Sequence, residues 1–277
     1  MFWEFFNQNG FLLTVWLLLK MRFLKQLLDF YIKSSVHVGI AVLSLVCVTA
    51  FSDDLSMDII YPNCVFFGTI LGYNFLKYFY VFWKGNFYSK KYYCILLISV
   101  LAFAGFLFCF LWLKRSVQIT ILIAGIAVLV YPFLRKFGWL KLFLVSIVIT
   151  YVTVYIPFQT IKWLPFNFYV SLIQRFFILI SLLIPFEIMD SKTDLETMNT
   201  LPQIFGVKLT KIFGIVLVIP FMVLEFFKSS PSYVVIVIGI ITVLFIQFSS
   251  LKRNQYYTSF WVESVPVFWL ILIILFK

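Results

Sequence analysis

The sequence predicts an all-α integral membrane bundle of about nine transmembrane helices, and three observations carry that prediction. The 277 residues are 63% hydrophobic and only 12% charged, with a mean hydropathy of +1.05. A soluble domain cannot cover so apolar a chain with so little charge, so the bilayer is its solvent. Apolar runs long enough to span recur along the chain between short polar loops. Lys and Arg gather in alternate loops, as the positive-inside rule requires of a multi-pass protein.

The first segment, residues 1–35, mixes Trp3, Phe5, Phe6 and an apolar run from Phe11 to Leu19 with Lys20, Arg22, Lys25 and Lys33. A secretory signal peptide carries its basic residues first, and here the order is reversed. An amphipathic helix lying in the interface fits this order. Residues 36–277 form a single transmembrane domain. Its spans fall at about 36–52, 58–83, 93–113, 117–134, 140–158, 169–189, 209–227, 232–250 and 260–276. Some of these are short, so a count of eight also fits. Gly68, Gly72, Gly105 and Gly125 are candidates for close helix contacts. Prolines within the spans are tolerable where neighbouring helices satisfy the freed carbonyls.

Several function classes fall away on composition. The net charge of +11 suits basic loops against an anionic leaflet, and no basic globular domain is present to grip nucleic acid. Cys47, Cys64, Cys94 and Cys109 lie in or beside apolar runs without metal-ligand spacing, so they read as small hydrophobes. His37 is the single histidine. A Ser-His-Asp triad or a histidine-bound metal would have to rest on it alone.

Orientation follows from the basic loops. One set holds Lys20, Arg22, Lys25, Lys33, Lys84, Lys90, Lys91, Arg135, Lys136, Lys141, Lys192, Lys208, Lys211, Lys252 and Arg253. The other holds Lys114, Arg115, Lys162, Lys228 and Lys277. Fifteen against five puts the N-terminus and the loop after Asp190 on the cytoplasmic side of a cell (inner) membrane.

The string Pro185 to Gly206 carries the strongest chemical signal. Asp190 and Asp194 are four apart, which on a continuing helix sets two carboxylates on one face about 6 Å apart. Acids held so repel unless a cation lies between them, and paired oxygens suit a hard ion such as Mg²⁺. A solvated acidic loop that merely ends a helix is the plain alternative. With Thr200-Leu201-Pro202 following, the string resembles the second aspartate-rich motif of the UbiA family of intramembrane prenyltransferases. Tyr131-Pro132-Phe133-Leu134-Arg135-Lys136 resembles that family's Tyr and basic residue on the fourth helix. Arg135 could clasp diphosphate oxygens in bidentate fashion; alternatively, Arg135 and Lys136 are only positive-inside anchors.

The resemblance implies a UbiA-like fold, Mg²⁺ as cofactor, and a polyprenyl diphosphate or other isoprenoid lipid as partner. It also implies transfer of the prenyl group to a lipophilic acceptor. The metal would fall to Asp190 and Asp194, and the diphosphate to Asn74, Lys77, Tyr131, Arg135 and Lys136. At the first aspartate-rich motif this chain departs from the family. Asn74 matches, but Phe75, Tyr78 and Phe82 stand at the acid positions. Such a site holds fewer Mg²⁺ ions, and more weakly, because carboxylate charge offsets the cost of dehydrating the ion. The loss favours a non-catalytic protein that binds an isoprenoid or serves a structural role; the retained second motif favours an enzyme. Arg175 and Glu187 are costly in lipid and should face the interior, either as an ion pair or toward a ligand. Glu225 is expected as a loop-side charge.

Overall fold

The computed structural model describes residues 20–83, 90–134, 138–159, 161, 163–192 and 198–276, and every regular element among them is helical. The chain opens with α1, Lys20–Lys33, and α2, Val36–Ser52, which meet at a bend of 58°. Ser35 makes the corner in the left-handed region, with φ 63. α1 exposes Met21, Phe23, Leu24, Leu27 and Phe30 among Lys20, Arg22 and Lys25, an arrangement suited to lying in the interface. Its Asp29 accepts from the Tyr256 hydroxyl. That bond holds the carboxyl below the usual Asp range; burial opposes it, and the charges of Lys33 and Lys25 add to the lowering.

The remaining helices are α3, Ile60–Trp83, α4, Lys90–Trp112, and α5, Arg115–Leu134. They continue with α6, Leu140–Phe158, α7, Phe166–Asp190, and α8, Leu201–Phe227. The last two are α9, Tyr233–Phe248, and α10, Tyr257–Phe276. α2 to α10 correspond in order to the nine apolar runs. By length and composition, α4, α5, α6, α7, α8 and α10 suffice to cross a membrane, and α1 with α2 would form a seventh, broken span. Consecutive helices pack side by side from α2 to α4 and from α5 to α10, α5 packs on α3, and α10 closes back onto α2.

α2 and α7 form the centre. Leu45, Ile178, Ile184, Ile188, Phe221 and Val262 make one apolar core without solvent contact. α4 and α5 lie at the edge and show bulky side chains outward, including Leu97, Phe108, Ile119 and Leu122. α3 and α4 interlock, since a Cβ on Gly68 would meet the Phe106 ring at 3.1 Å and one on Gly105 the Phe67 ring at 2.9 Å. Gly125 faces open space.

α7 ends at Asp190 with Ser191 as its C-cap; the Ser191 N–H makes the last helical bond, to Glu187 O at 3.1 Å, and its hydroxyl donates to Ile188 O at 2.8 Å. Asp194, expected on one helix face with Asp190, lies outside the described residues. α8 starts earlier than its apolar run, at Leu201, with Pro202 in its first turn and Gln203 Oε1 accepting the Thr200 N–H at 3.0 Å. Gly206, at φ 76, then breaks the helix before its long apolar part.

At the end of the bundle away from Asp190, the charges form a buried network. Arg175 donates to Leu45 O at 3.1 Å and Thr49 Oγ1 at 3.0 Å, with its guanidinium 4.8 Å from the Trp269 ring. Asp53 accepts from Ser171 at 2.9 Å. Burial raises the Asp53 carboxyl, against the pull of Lys228, Ser171 and Arg175. Glu225 is buried, not loop-side. It accepts from Gln174 at 2.9 Å and from the Ser232 N–H at 2.9 Å, and it pairs with Lys228 at 3.6 Å. The end of α2, α7, α8 and the start of α9 thus share one set of buried charges.

Candidate functional site

The described members of the sequence-predicted site, Asn74, Lys77, Tyr131 and Asp190, lie toward the other end of the bundle in two groups. The first forms where the α5–α6 turn meets the segment before α8. Gly138 is buried there, and a Cβ on it would overlap the carbonyls of Met198 and Asn199. Only glycine allows so close an approach. The contact brings the string beginning at Tyr131 to the string that ends in Thr200-Leu201-Pro202. Tyr131 is half-buried near the end of α5. Arg135 and Lys136 lie outside the described residues, as does Asp194.

Beneath this contact, Lys141 of α6 pairs with Glu187 of α7 at 3.0 Å, each side chain 7% exposed. The sequence offered Arg175 as one partner for a buried Glu; the partner of Glu187 is Lys141 instead. Asp190, less than a turn further along α7, is exposed.

The second group lies on α3. Asn74 is 1% exposed. Its Oδ1 accepts from the Ser35 hydroxyl at 2.6 Å, and its amide donates to Ser99 Oγ at 3.0 Å. Asn74 thereby ties the α1–α2 corner to α4. Tyr78 occupies one of the acid positions of the resembled motif, and its hydroxyl donates to Lys33 O at 2.7 Å. Lys77 is exposed, with its ammonium 5.7 Å from the Tyr78 ring centroid, and it acts electrostatically on Glu263 of α10.

His37 completes this wall. Its Nε2–H donates to Phe260 O at 3.0 Å, and its Nδ1 is hydrogen-bonded to the Tyr31 hydroxyl at 2.9 Å. His37 therefore ties α1, α2 and α10 together. The sequence reading passed over Glu263, although an acid inside the last apolar run is the signal that marks an interior charge.

The donor set can be compared with what Mg²⁺ needs, which is near-octahedral oxygen coordination. Asp190 is the described carboxylate of the second motif. On α3 the Asn74 oxygen is already engaged by Ser35, and the acid positions hold Phe75, Tyr78 and Phe82. Among the described residues, no group of three or more His, Cys, Asp or Glu is placed to hold a metal. The described donors do not fit a two-motif cradle for the ion.

No protein-family profile matches this chain, and no curated protein matches it. Among solved structures, it is similar to the apo structure of a UbiA homolog from Aeropyrum pernix K1. The superposition has a TM-score of 0.64 and covers 86% of this chain and 96% of that one, at 12% sequence identity. At that identity the likeness speaks for the fold. With its succession of apolar helices, the chain is a multi-pass membrane protein with the UbiA-like fold.

Proposed function

We propose that this protein binds an isoprenoid lipid, a polyprenyl diphosphate foremost, without needing the two-motif metal cradle. The prenyl tail lies among the aromatic helices. The phosphate-bearing end sits where the α5–α6 turn meets the segment before α8, on the cytoplasmic side of the membrane. The observation that carries this reading is the close approach of Gly138 to Met198 and Asn199. It joins the two strings that resemble diphosphate-binding motifs. Arg135 and Lys136 stand three and two residues before Gly138 in sequence, and a guanidinium and an ammonium attract diphosphate without a metal.

The engagement of Asn74 by Ser35 and Ser99 supports binding without turnover, since at the matching position α3 offers an amide already held in place by the fold and no carboxylate. A second reading, Mg²⁺-dependent prenyl transfer to a lipophilic acceptor, is favoured by the exposed Asp190 at the end of α7. The binding reading is tested by equilibrium binding of tritiated geranylgeranyl diphosphate to the protein in nanodiscs. Joint replacement Arg135→Ala and Lys136→Ala is expected to weaken binding at least tenfold, the loss of about two charge-assisted hydrogen bonds. Unchanged affinity in that variant, or no binding by the wild type, would overturn the proposal.

A further inference from the structure

α1 leaves the line of α2 at 58°, and its residues sort into three stripes at helical spacing. Leu28 and Ile32 form the first; Ile32 is buried and Leu28 half-buried. Phe23, Leu27 and Phe30, with Leu24 beside them, form a second stripe that is apolar and exposed. Arg22, Lys25, Asp29 and Lys33 form the third. An exposed apolar stripe next to a row of cations suits a surface with hydrocarbon on one side and negative charge on the other.

The third stripe carries a net positive charge. Asp29, its one acid, accepts from Tyr256 and pairs with Lys33 at 3.6 Å. Arg22 and Lys25 are exposed and stand in no ion pair among the described residues. The contact with Tyr256 also brings the α9–α10 turn alongside, where Lys252 and Arg253 are exposed and residues 249–256 include no acid. The fold holds α1 at both its side and its end. The Tyr31 hydroxyl is hydrogen-bonded to His37 at 2.9 Å, Lys33 O accepts from Tyr78 at 2.7 Å, and the Ser35 hydroxyl donates to Asn74 at 2.6 Å. Cations fixed in advance bind with less ordering cost. Water alone would leave the apolar stripe exposed, and a zwitterionic leaflet would leave the cations without counter-charge. An anionic leaflet answers both.

We propose that α1, with the α9–α10 turn beside it, is a binding surface for phospholipids of net negative charge. Their headgroups collect on Arg22, Lys25 and Lys33 while Phe23, Leu27 and Phe30 enter the acyl region. The surface lies apart from the α5–α6 turn, and it stands whether or not a diphosphate binds there.

The test reads which lipid gathers at α1 in the whole protein. A bimane fluorophore is attached at Leu27→Cys after Cys47→Ser and Cys94→Ser, which replace the two cysteines that are not buried. The protein is placed in phosphatidylcholine nanodiscs containing a small, equal share of either dibromo-acyl phosphatidylglycerol or dibromo-acyl phosphatidylcholine, whose bromines quench the label on contact. Each cation near an anionic surface favours it about fivefold, so brominated phosphatidylglycerol is expected to be enriched at the label at least about fivefold over brominated phosphatidylcholine. A label at Leu122→Cys, on the outward face of α5, is expected to show no such preference. Joint replacement Arg22→Gln, Lys25→Gln and Lys33→Gln should bring the two lipids to equality at Leu27→Cys. Quenching by brominated phosphatidylcholine should meanwhile stay as before, which reports that α1 is still seated. Salt at about 1 M, where screening is complete within about 3 Å, should likewise remove the preference without any change of sequence. Equal quenching by the two lipids in the unsubstituted stripe, or a preference that survives both the charge replacement and the salt, would overturn the proposal. So would an equal preference at Leu122→Cys, or a Leu27→Cys label that neither lipid quenches, as when a second copy covers the stripe.

Discussion

Asn74 illustrates how one residue can match a motif and still be occupied by the fold. Its amide accepts from Ser35 and donates to Ser99, both within a buried setting. Replacing it by Ala removes both bonds and leaves two hydroxyls to find partners, at a cost of about 1–3 kcal/mol. Asn74→Ala is thus expected to unfold at lower denaturant while its diphosphate affinity stays within about twofold of the wild type, well under the tenfold that one charged hydrogen bond would carry. Parallel loss of binding and stability would return Asn74 to the ligand site. Lys141 and Glu187 make a different case. Breaking a buried pair from one side leaves a lone charge and costs about 3–5 kcal/mol, whereas replacing both by apolar residues is often near neutral. Lys141→Met alone should be strongly destabilised, and adding Glu187→Met should restore most of the loss in the same unfolding measurement. Neither pairing could be read from the sequence. Lys141 looks like one more positive-inside anchor, and only the packing of α6 on α7 reveals its partner.

The helices themselves were legible because the bilayer demands long apolar runs, and these stand out against polar loops. Their ends were less so. The start of α8 is set by Thr200, Pro202 and Gln203, polar and turn chemistry that hydropathy ignores. The end of α7 falls at Asp190, with Ser191 as its C-cap, in a polar stretch where hydropathy gives no boundary. The joint between the α5–α6 turn and the segment before α8 depends on one glycine. Gly138→Ala places a Cβ against backbone carbonyls that cannot rotate away, so the two segments must part. Overpacking of this kind costs about 1–3 kcal/mol. Because the joint assembles the proposed headgroup site, Gly138→Ala is expected to weaken diphosphate binding more than Gly125→Ala, which faces open space. Binding equal in the two variants would separate the joint from the site.

At the scale of the whole molecule, α2 and α7 anchor a bundle with two chemically distinct ends. One end seals Asp53, Arg175, Glu225 and Lys228 into a balanced network; the other leaves Asp190 and Lys77 exposed. In the sequence, the basic residues of alternate loops divide as fifteen to five. A reporter fused after Lys277 should accordingly register outside the cell and one inserted beside Arg253 inside; both on the same side would break the arrangement. The fold was legible from composition and spacing. The site was legible only in part, since the residues that resemble its motifs are in the sequence while their engagement by neighbours is not. The most direct test of the account is the affinity of the wild type for geranylgeranyl diphosphate in Mg²⁺ and in chelator, with released diphosphate assayed in the same samples. Binding that persists in chelator within about tenfold, the worth of one charged contact, and no release of diphosphate in either condition are the predicted results. Binding that vanishes in chelator, or diphosphate released in Mg²⁺, would contradict it and establish the metal-dependent reading instead.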